Sequence, residues 1–473
     1  MNKYKYLFKN IGLLTISNFG TKILSFILIP LYTSILSTEE YGTYDIYSTT
    51  VSLLIPVLSL NVVEAVMRFA LDEEKNNTAV FTIGIRKVLL SILIFGIIVI
   101  INFFTNLIPI FSTYALYLFI LFLGSLLYTM MIQFTRGIEK ISYVAVAGAL
   151  NSVIMLLLNV LFLVVFNFGL PGYFAANCIA YLIPVVFLSL KIRAWRYIDL
   201  KGFDNNLKNE MYDYCKPLVF NNIAWWVNNV SDRYIVTWIC DVASNGIYSV
   251  AYKIPSVLNI FQSIFSQAWT ISAVKEFDGN SGFFYSRIYK IYNAGMIIVC
   301  SGLIVFDKVL AKLLFANDFY IAWQYAPFLM MSVVFGALSG FLGGIFSAAK
   351  RSKVFARTTV VGASVNTILN VFLVYFLGPL GAAISTLVSY VLVWASRLFE
   401  ANKIVKLDID LKKDILSYFI LCVQSVILLM GFNSWIEYVV EILLLIITIV
   451  LNFNEFKDIL KHFLNRKKNG KKG

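Results

Sequence analysis

The sequence predicts an all-α integral membrane protein: about fourteen transmembrane helices, grouped as two pseudo-symmetric six-helix lobes followed by two more helices. Three observations carry this. The 473 residues are 59% hydrophobic and only 14% charged, with a mean hydropathy of +0.79. That is too little charge to clothe a soluble surface of this size. Apolar runs of about 20 residues or more recur from end to end, each enough to cross a hydrocarbon core ~30 Å thick at ~1.5 Å per residue. Basic residues are also distributed unevenly between alternate loops.

The expected spans are 11–36, 43–70, 82–108, 113–135, 141–167, 172–192, 217–240, 246–274, 288–314, 321–349, 357–377, 380–400, 414–432 and 434–453. With the N-terminus in the cytoplasm, the inward segments hold Lys3, Lys5 and Lys9; Lys75, Arg86 and Lys87; Arg136 and Lys140; and Lys191, Arg193, Arg196, Lys201 and Lys208. They continue with Lys275 and Arg287; Lys350, Arg351 and Lys353; Arg397, Lys403, Lys406, Lys412 and Lys413; and the lysine-rich tail. The outward segments STEEYG, NLIPIFST, NFGLPG, CDVASNG, FANDFYI, LGPLG and GFNSW contain neither lysine nor arginine. This asymmetry fits an even number of spans with both termini cytoplasmic. Lys308 and Lys312, near the outer end of the ninth span, are the dissenting cations.

An internal repeat supports the two lobes. At an offset of 204, Asn18 aligns with Asn222, Thr33 with Thr237, Gly42 with Gly246, Tyr44 with Tyr248 and Ser52 with Ser256. At an offset of 215, Arg136 aligns with Arg351 and Asn151 with Asn366. Six spans separate the copies, so they run in the same direction, as in transporters whose halves are related by an axis along the membrane normal. The expected divisions are 1–200, 201–405, 406–455 for the last two spans, and a basic cytoplasmic tail at 456–473.

Several chemistries find no support in the sequence. Cys178, Cys215, Cys240, Cys300 and Cys422 are scattered without CxxC spacing and read as small buried hydrophobes. The only histidine, His462, lies in the tail, which argues against a histidine metal site or a catalytic triad. No phosphate-cradling glycine loop, metal-ligand cluster or nucleophile motif stands out, and the reading is of a non-enzyme without a resident cofactor. Topology accounts for the net charge of +13, leaving no call for a nucleic-acid partner. The basic tail should attract anionic lipid. The first span lacks a small-residue cleavage site and is read as a retained helix.

The polar residues inside the spans point to function. In Asn221–Ile239, reading NNIAWWVNNVSDRYIVTWI, a helical projection places Asn221, Asn222, Asn228, Asn229, Asp232, Arg233 and Trp225 within one arc. A lipid-exposed ion near mid-membrane costs about 2.5 to 3.5 kcal/mol, so this stripe should face other helices or a wet cavity. On the first span, Thr15, Asn18, Lys22 and Ser25 share a face. Lys22 would sit about 16 Å from the cytoplasmic end, deep for a snorkelling lysine. Lys253 could add a third cation. Asp232 and Arg233 are helical neighbours that do not face each other, so each needs another partner. Either they tie span seven to its neighbours, or Arg233 binds an anion and Asp232 takes a proton or cation. Glu64 and Arg68 can pair at i, i+4 near the inner end of span two, as a structural pair or part of a gate. Pro30, Pro56 and Pro255 interrupt spans, and Gly336, Gly340, Gly343 and Gly344 line span ten, where bending or close packing is served.

The stretches SNFGTKILSFILIPLYTSILSTEEYGTYD, NNIAWWVNNVSDRYIVTWICDVASNGIYSVAYKIP and NTILNVFLVYFLGPLGAAISTLVSY resemble polysaccharide-export flippases. These are the Wzx-type oligosaccharide flippases of the polysaccharide transport branch of the MOP superfamily, which also holds lipid II flippases and MATE multidrug exporters. The resemblance extends over nearly the whole chain. It implies the MOP flippase fold and a bacterial plasma-membrane protein that moves an undecaprenyl-diphosphate-linked oligosaccharide to the outer leaflet by alternating access. Polysaccharide polymerase and glycosyltransferases are the implied working partners. It implies that cavity cations engage the diphosphate, for which Lys22, Arg233 and Lys253 are the candidates. Asn18, Asn222, Asn229 and Trp225 would meet sugars. Coupling to H+ or Na+ is implied, with Asp232 the candidate and Glu64 and Arg68 in gating. Two alternatives stand beside this: a MATE-like cation-coupled drug or small-molecule exporter, expected to prefer an acidic cavity, and a membrane polymerase or glycosyltransferase, expected to carry a large catalytic loop.

Overall fold

The computed structural model describes residues 26–72, 74–199, 204–275, 277, 282–349, 351–431 and 434–469. Every regular element among them is helical. The chain divides into two compact units, Met1–Val230 and Ser231–Gly473.

In the first unit, α1 (Ile29–Ile35) carries Pro30 in its first turn, where the missing N–H costs nothing. A capping box starts α2 (Thr38–Leu58): Ser37 Oγ accepts from the Glu40 N–H, and the Glu40 carboxylate accepts from the Ser37 N–H. Pro56 then disrupts the last turn. Leu60 and Asn61 take left-handed backbone conformations (φ 51° and 54°), and α3 (Val62–Ala70) leaves α2 at 61°. The expected second span is therefore a broken one, bent where its proline predicts.

Next come α4 (Asn77–Thr105), capped by Asn76, then α5 (Ala115–Gly137), α6 (Ile141–Asn159) continued by a π-helical turn to Val165, and α7 (Gly169–Ile192). α5 packs against α3, α4 and α7, and α6 lies on α7. Tyr32, Tyr44, Tyr47, Tyr173 and Phe174 cluster where α2 starts, with Tyr44 and Tyr173 ring centroids 4.3 Å apart. Aromatic rings with one polar end suit a membrane interface.

The long helix α8 (Asn205–Ile239) carries the chain from one unit into the other. In the second unit follow α9 (Val242–Ala251), α10 (Ser256–Lys275), α11 (Gly282–Val305), α12 (Asp307–Leu314), α13 (Ala326–Ala348), α14 (Ser352–Leu377), α15 (Pro379–Asn402), α16 (Leu411–Met430) and α17 (Ser434–Asn469). The most buried of them is α13, packed on α10, α11 and α15. Its glycines serve contact: a Cβ on Gly344 would lie 2.4 Å from Trp269 Nε1, and one on Gly343 2.6 Å from Phe355. α17 packs along α11 and α16.

Among the described residues, ten helices are long and apolar enough to cross a membrane, or eleven with the bent α2–α3 pair as one span. These eleven coincide with eleven of the expected spans. The other three behave differently. Span 11–36 falls mostly outside the described residues. Span 217–240 lies within α8, whose amides and charges keep its hydropathy low. Span 246–274 is split into α9 and α10 by a turn over Tyr252–Pro255.

Candidate functional site

The polar stretch of α8 reaches its deepest charge at Asp232, which is 4% exposed. Its surroundings follow from the tight reversal after α8. Asp241 Oδ1 accepts from the Ser244 N–H at 2.6 Å and starts α9 at once. The returning chain then presents Tyr248 and Tyr252, one turn apart, to Asp232. Both phenols donate to the same carboxyl oxygen, Oδ2, at 2.6 Å and 2.7 Å, and the two hydroxyls are 3.1 Å from each other. The Arg233 N–H donates to Oδ1 at 3.0 Å. Each carboxyl oxygen thus has a hydrogen-bond donor, as burial demands.

Arg233 turns its guanidinium to the face of Tyr252, with Cζ 5.4 Å from the ring centroid. Its backbone carbonyl accepts from Thr237 Oγ1 at 2.8 Å. Lys253 follows Tyr252 in the turn before Pro255 and is half-buried. Asp232, Arg233, Tyr248 and Tyr252 therefore form one cluster in the second unit: an acid held by two phenols, and a cation on an aromatic face. Such a group can hold or release a proton at Asp232 and offer positive charge at Arg233.

In the first unit the same helix uses its amides for packing. Asn222 Nδ2 donates to Asn61 Oδ1 at 3.2 Å, at the break between α2 and α3, and Cys215 Sγ lies 3.5 Å from the Asn61 carbonyl oxygen. Trp226 Nε1 donates to the Thr49 carbonyl at 3.1 Å. Asn229 is half-buried. Asn18 and Lys22 lie outside the described residues, as does the side chain of Trp225.

Glu64 and Arg68 do not form the pair that their spacing suggests. Glu64 Oε1 accepts from Gln133 Nε2 at 2.8 Å, Gln133 Oε1 accepts from Arg136 Nη1 at 3.2 Å, and Arg68 is exposed. A neighbouring helix outcompetes the same-helix partner. Arg136, expected as a topology charge, is therefore also part of a polar tie between α3 and α5.

Two further expectations need correction, and one dissenting charge finds its partner. Arg397 is no loop-side charge: it is 5% exposed, donating to Thr358 Oγ1 (3.0 Å), the Ser339 carbonyl (2.8 Å) and Thr359 Oγ1 (2.8 Å), and lies over Phe355. Lys308, a dissenting cation near the outer end of the ninth span, pairs with buried Glu437 at 2.6 Å. Of the five cysteines, Cys240 and Cys422 are exposed rather than buried.

Sequence reasoning missed Tyr248, Tyr252, Asn61 and Gln133. The tyrosines had a signal, a pair at i, i+4 beside Lys253. Asn61 had one too, being among the few residue types that accept a left-handed conformation.

Comparison with known proteins follows this geometry. The family model described as polysaccharide biosynthesis protein matches residues 7–271, which include the Asp232–Tyr252 cluster. The probable low-salt glycan biosynthesis flippase Agl15 of Haloferax volcanii is 24% identical over 188 residues, covering 38% of this chain and 39% of that protein's length. Among solved structures, lipid II flippase MurJ in an inward closed conformation superposes with a TM-score of 0.70 at 14% identity, covering 95% of this chain and 99% of that one. An inward-facing MATE multidrug resistance transporter of the MOP superfamily gives 0.65 at 12% identity, over 81% and 95%. The chain is a multi-pass membrane protein with the fold shared by MurJ and the MATE transporters, and, matched by that family model over more than half its length, it belongs to the polysaccharide biosynthesis protein family.

Proposed function

We propose that the protein moves an undecaprenyl-diphosphate-linked oligosaccharide from the cytoplasmic to the outer leaflet of a bacterial plasma membrane by alternating access, with both termini in the cytoplasm. The observation that carries this reading is the match to the polysaccharide biosynthesis family over residues 7–271. The similarity to a protein named as a glycan biosynthesis flippase supports it. The fold alone does not choose, since flippases and drug exporters share it. Charge favours the flippase. The acid of the site is enclosed by two phenols, whereas Arg233 and Lys253 bring two cations, which suits an anionic diphosphate better than a cationic drug.

In this reading Arg233, Lys253 and Lys22 engage the diphosphate. Asn18, Asn222, Asn229 and Trp225 meet sugar hydroxyls and ring faces, and Asp232 takes the coupling H+ or Na+, while Glu64 and Arg68 act near an inner gate. The protein is a transporter and not an enzyme. Glycosyltransferases supply its substrate, and a polymerase consumes what it delivers.

Deletion of the gene tests this. Surface polysaccharide should disappear while the lipid-linked oligosaccharide accumulates facing the cytoplasm. Unchanged surface polymer with no accumulated intermediate would refute the assignment.

A further inference from the structure

Outside the Asp232 cluster, a buried polar stripe runs along α17 in the second unit. Glu437, Glu441, Thr448 and Asn452 follow helical spacing along one stripe and are buried, whereas Trp435, Val439, Leu443 and Val450 are exposed. A membrane helix that turns its acids inward and its apolar faces outward has those acids placed for use.

At one end of the stripe, Glu437 Oε1 pairs with Lys308 Nζ at 2.6 Å, and that ammonium also lies 4.6 Å from the Trp323 ring centroid. One turn on, Glu441, beside the Gln424 side chain of α16, is fully buried, and neither of its carboxyl oxygens has a hydrogen bond of normal length. Asp307, which opens α12 beside Lys308, is in the same condition. From α16, Gln424 Nε2 reaches the Glu441 backbone carbonyl at 3.5 Å, and Gln424 Oε1 accepts from Ser301 Oγ of α11 at 2.8 Å. Three buried carboxyl groups thus share one lysine, and that lysine is engaged by Glu437.

An isolated carboxylate buried without donors costs several kcal/mol, and such a group becomes neutral instead. A metal ion does not resolve the difficulty, since among the described residues no three acidic, histidine or cysteine side chains are grouped to hold one. We infer that Glu441 and Asp307 are two proton-binding groups, loaded in this conformation and emptied when the helices around them admit water, through which a proton gradient acts on transport. Loading moves one proton from water to a carboxyl oxygen, release returns it, and no other bond changes. The coupling half of this inference rests on the transport reading; the protonation half does not. Lys308 of α12 and Tyr320, between α12 and α13, lie around Asp307; Lys308 and Glu437 of α17 lie around Glu441. α11 and α16 face it with neutral Ser301 and Gln424.

Two measurements on the full-length protein decide it. Infrared spectra at neutral pH should contain the C=O band of protonated carboxylic acid, with one component lost in Glu441→Gln and another in Asp307→Asn. Both amides mimic the neutral acid, so the Tm of each variant should stay near that of the parent. An unchanged band in both variants, or a large fall in Tm for both, overturns the inference. In proteoliposomes containing an undecaprenyl-diphosphate monosaccharide, an imposed proton gradient should accelerate flipping by the parent protein, and that acceleration should be lost in Glu441→Gln. The same acceleration in Glu441→Gln overturns the coupling role. If the parent flips nothing, the transport reading fails, and the infrared result decides the proton site alone.

Discussion

Tyr252 places its hydroxyl 2.7 Å from Asp232 Oδ2 while its ring receives the Arg233 guanidinium, so one side chain touches both charges of the α8 stretch. Tyr252→Phe keeps the ring and deletes the hydrogen bond; Tyr248→Phe deletes the other. Each should lower stability by about 1 to 3 kcal/mol, since buried Oδ2 loses a donor. Asp232→Asn, which still accepts from both phenols, should fold and lose the gradient dependence of transport. Thermal unfolding of the purified variants, with gradient-driven flipping as the second readout, checks the set. Unchanged gradient dependence in Asp232→Asn would remove it from coupling.

Arg397 is held by acceptors from α13 and α14, none of them charged. Its fork geometry matters more than its charge, and a lysine cannot reproduce three divergent donors. Arg397→Lys should therefore destabilise the protein by about 2 kcal/mol or more, and Arg397→Met by no more than that, because methionine buries no unpaired cation. Unfolding midpoints of the two variants provide the comparison.

Gly344 lets α10 approach α13 closely enough for Trp269 Nε1 to donate to the Phe341 carbonyl at 2.9 Å. Gly344→Ala should cost about 1 to 3 kcal/mol through overpacking. Gly302→Ala, where an added Cβ meets nothing within 4 Å, should leave stability unchanged or raised. Equal effects at the two positions would mean that the Trp269 contact contributes nothing.

The loop-charge asymmetry predicts an orientation that labelling can read. In a background with Cys240 and Cys422 replaced, Glu39→Cys and Trp435→Cys should react with an impermeant thiol reagent from outside intact cells. Glu74→Cys should react only after the membrane is opened. All three positions are exposed on the protein. Reaction of Glu39→Cys or Trp435→Cys only from within would reverse or break the topology.

Much of the fold was legible because long apolar runs and loop charge are local properties. The Pro56 break was legible for the same reason. What escaped depends on neighbours distant in sequence. Asp232 is satisfied from residues 16 and 20 positions away, once the Asp241 cap reverses the chain. Arg397 lies near the end of an apolar run and reads as an anchor, yet acceptors from two other helices draw it inside. Lys308 violated the charge rule until Glu437, 129 residues on, neutralised it. The amides of α8 were legible as a polar face. Their roles were not, because Asn222 answers an unusual backbone turn at Asn61.

The central claim, the proposed engagement of the lipid diphosphate by cations within the spans, is tested most directly by flipping of an undecaprenyl-diphosphate-linked oligosaccharide in proteoliposomes containing the parent protein, Arg233→Ala or Lys22→Ala. The parent should move the lipid between leaflets, and each variant should insert normally and fall to the rate of empty liposomes. Parent-like flipping in both variants would contradict the account.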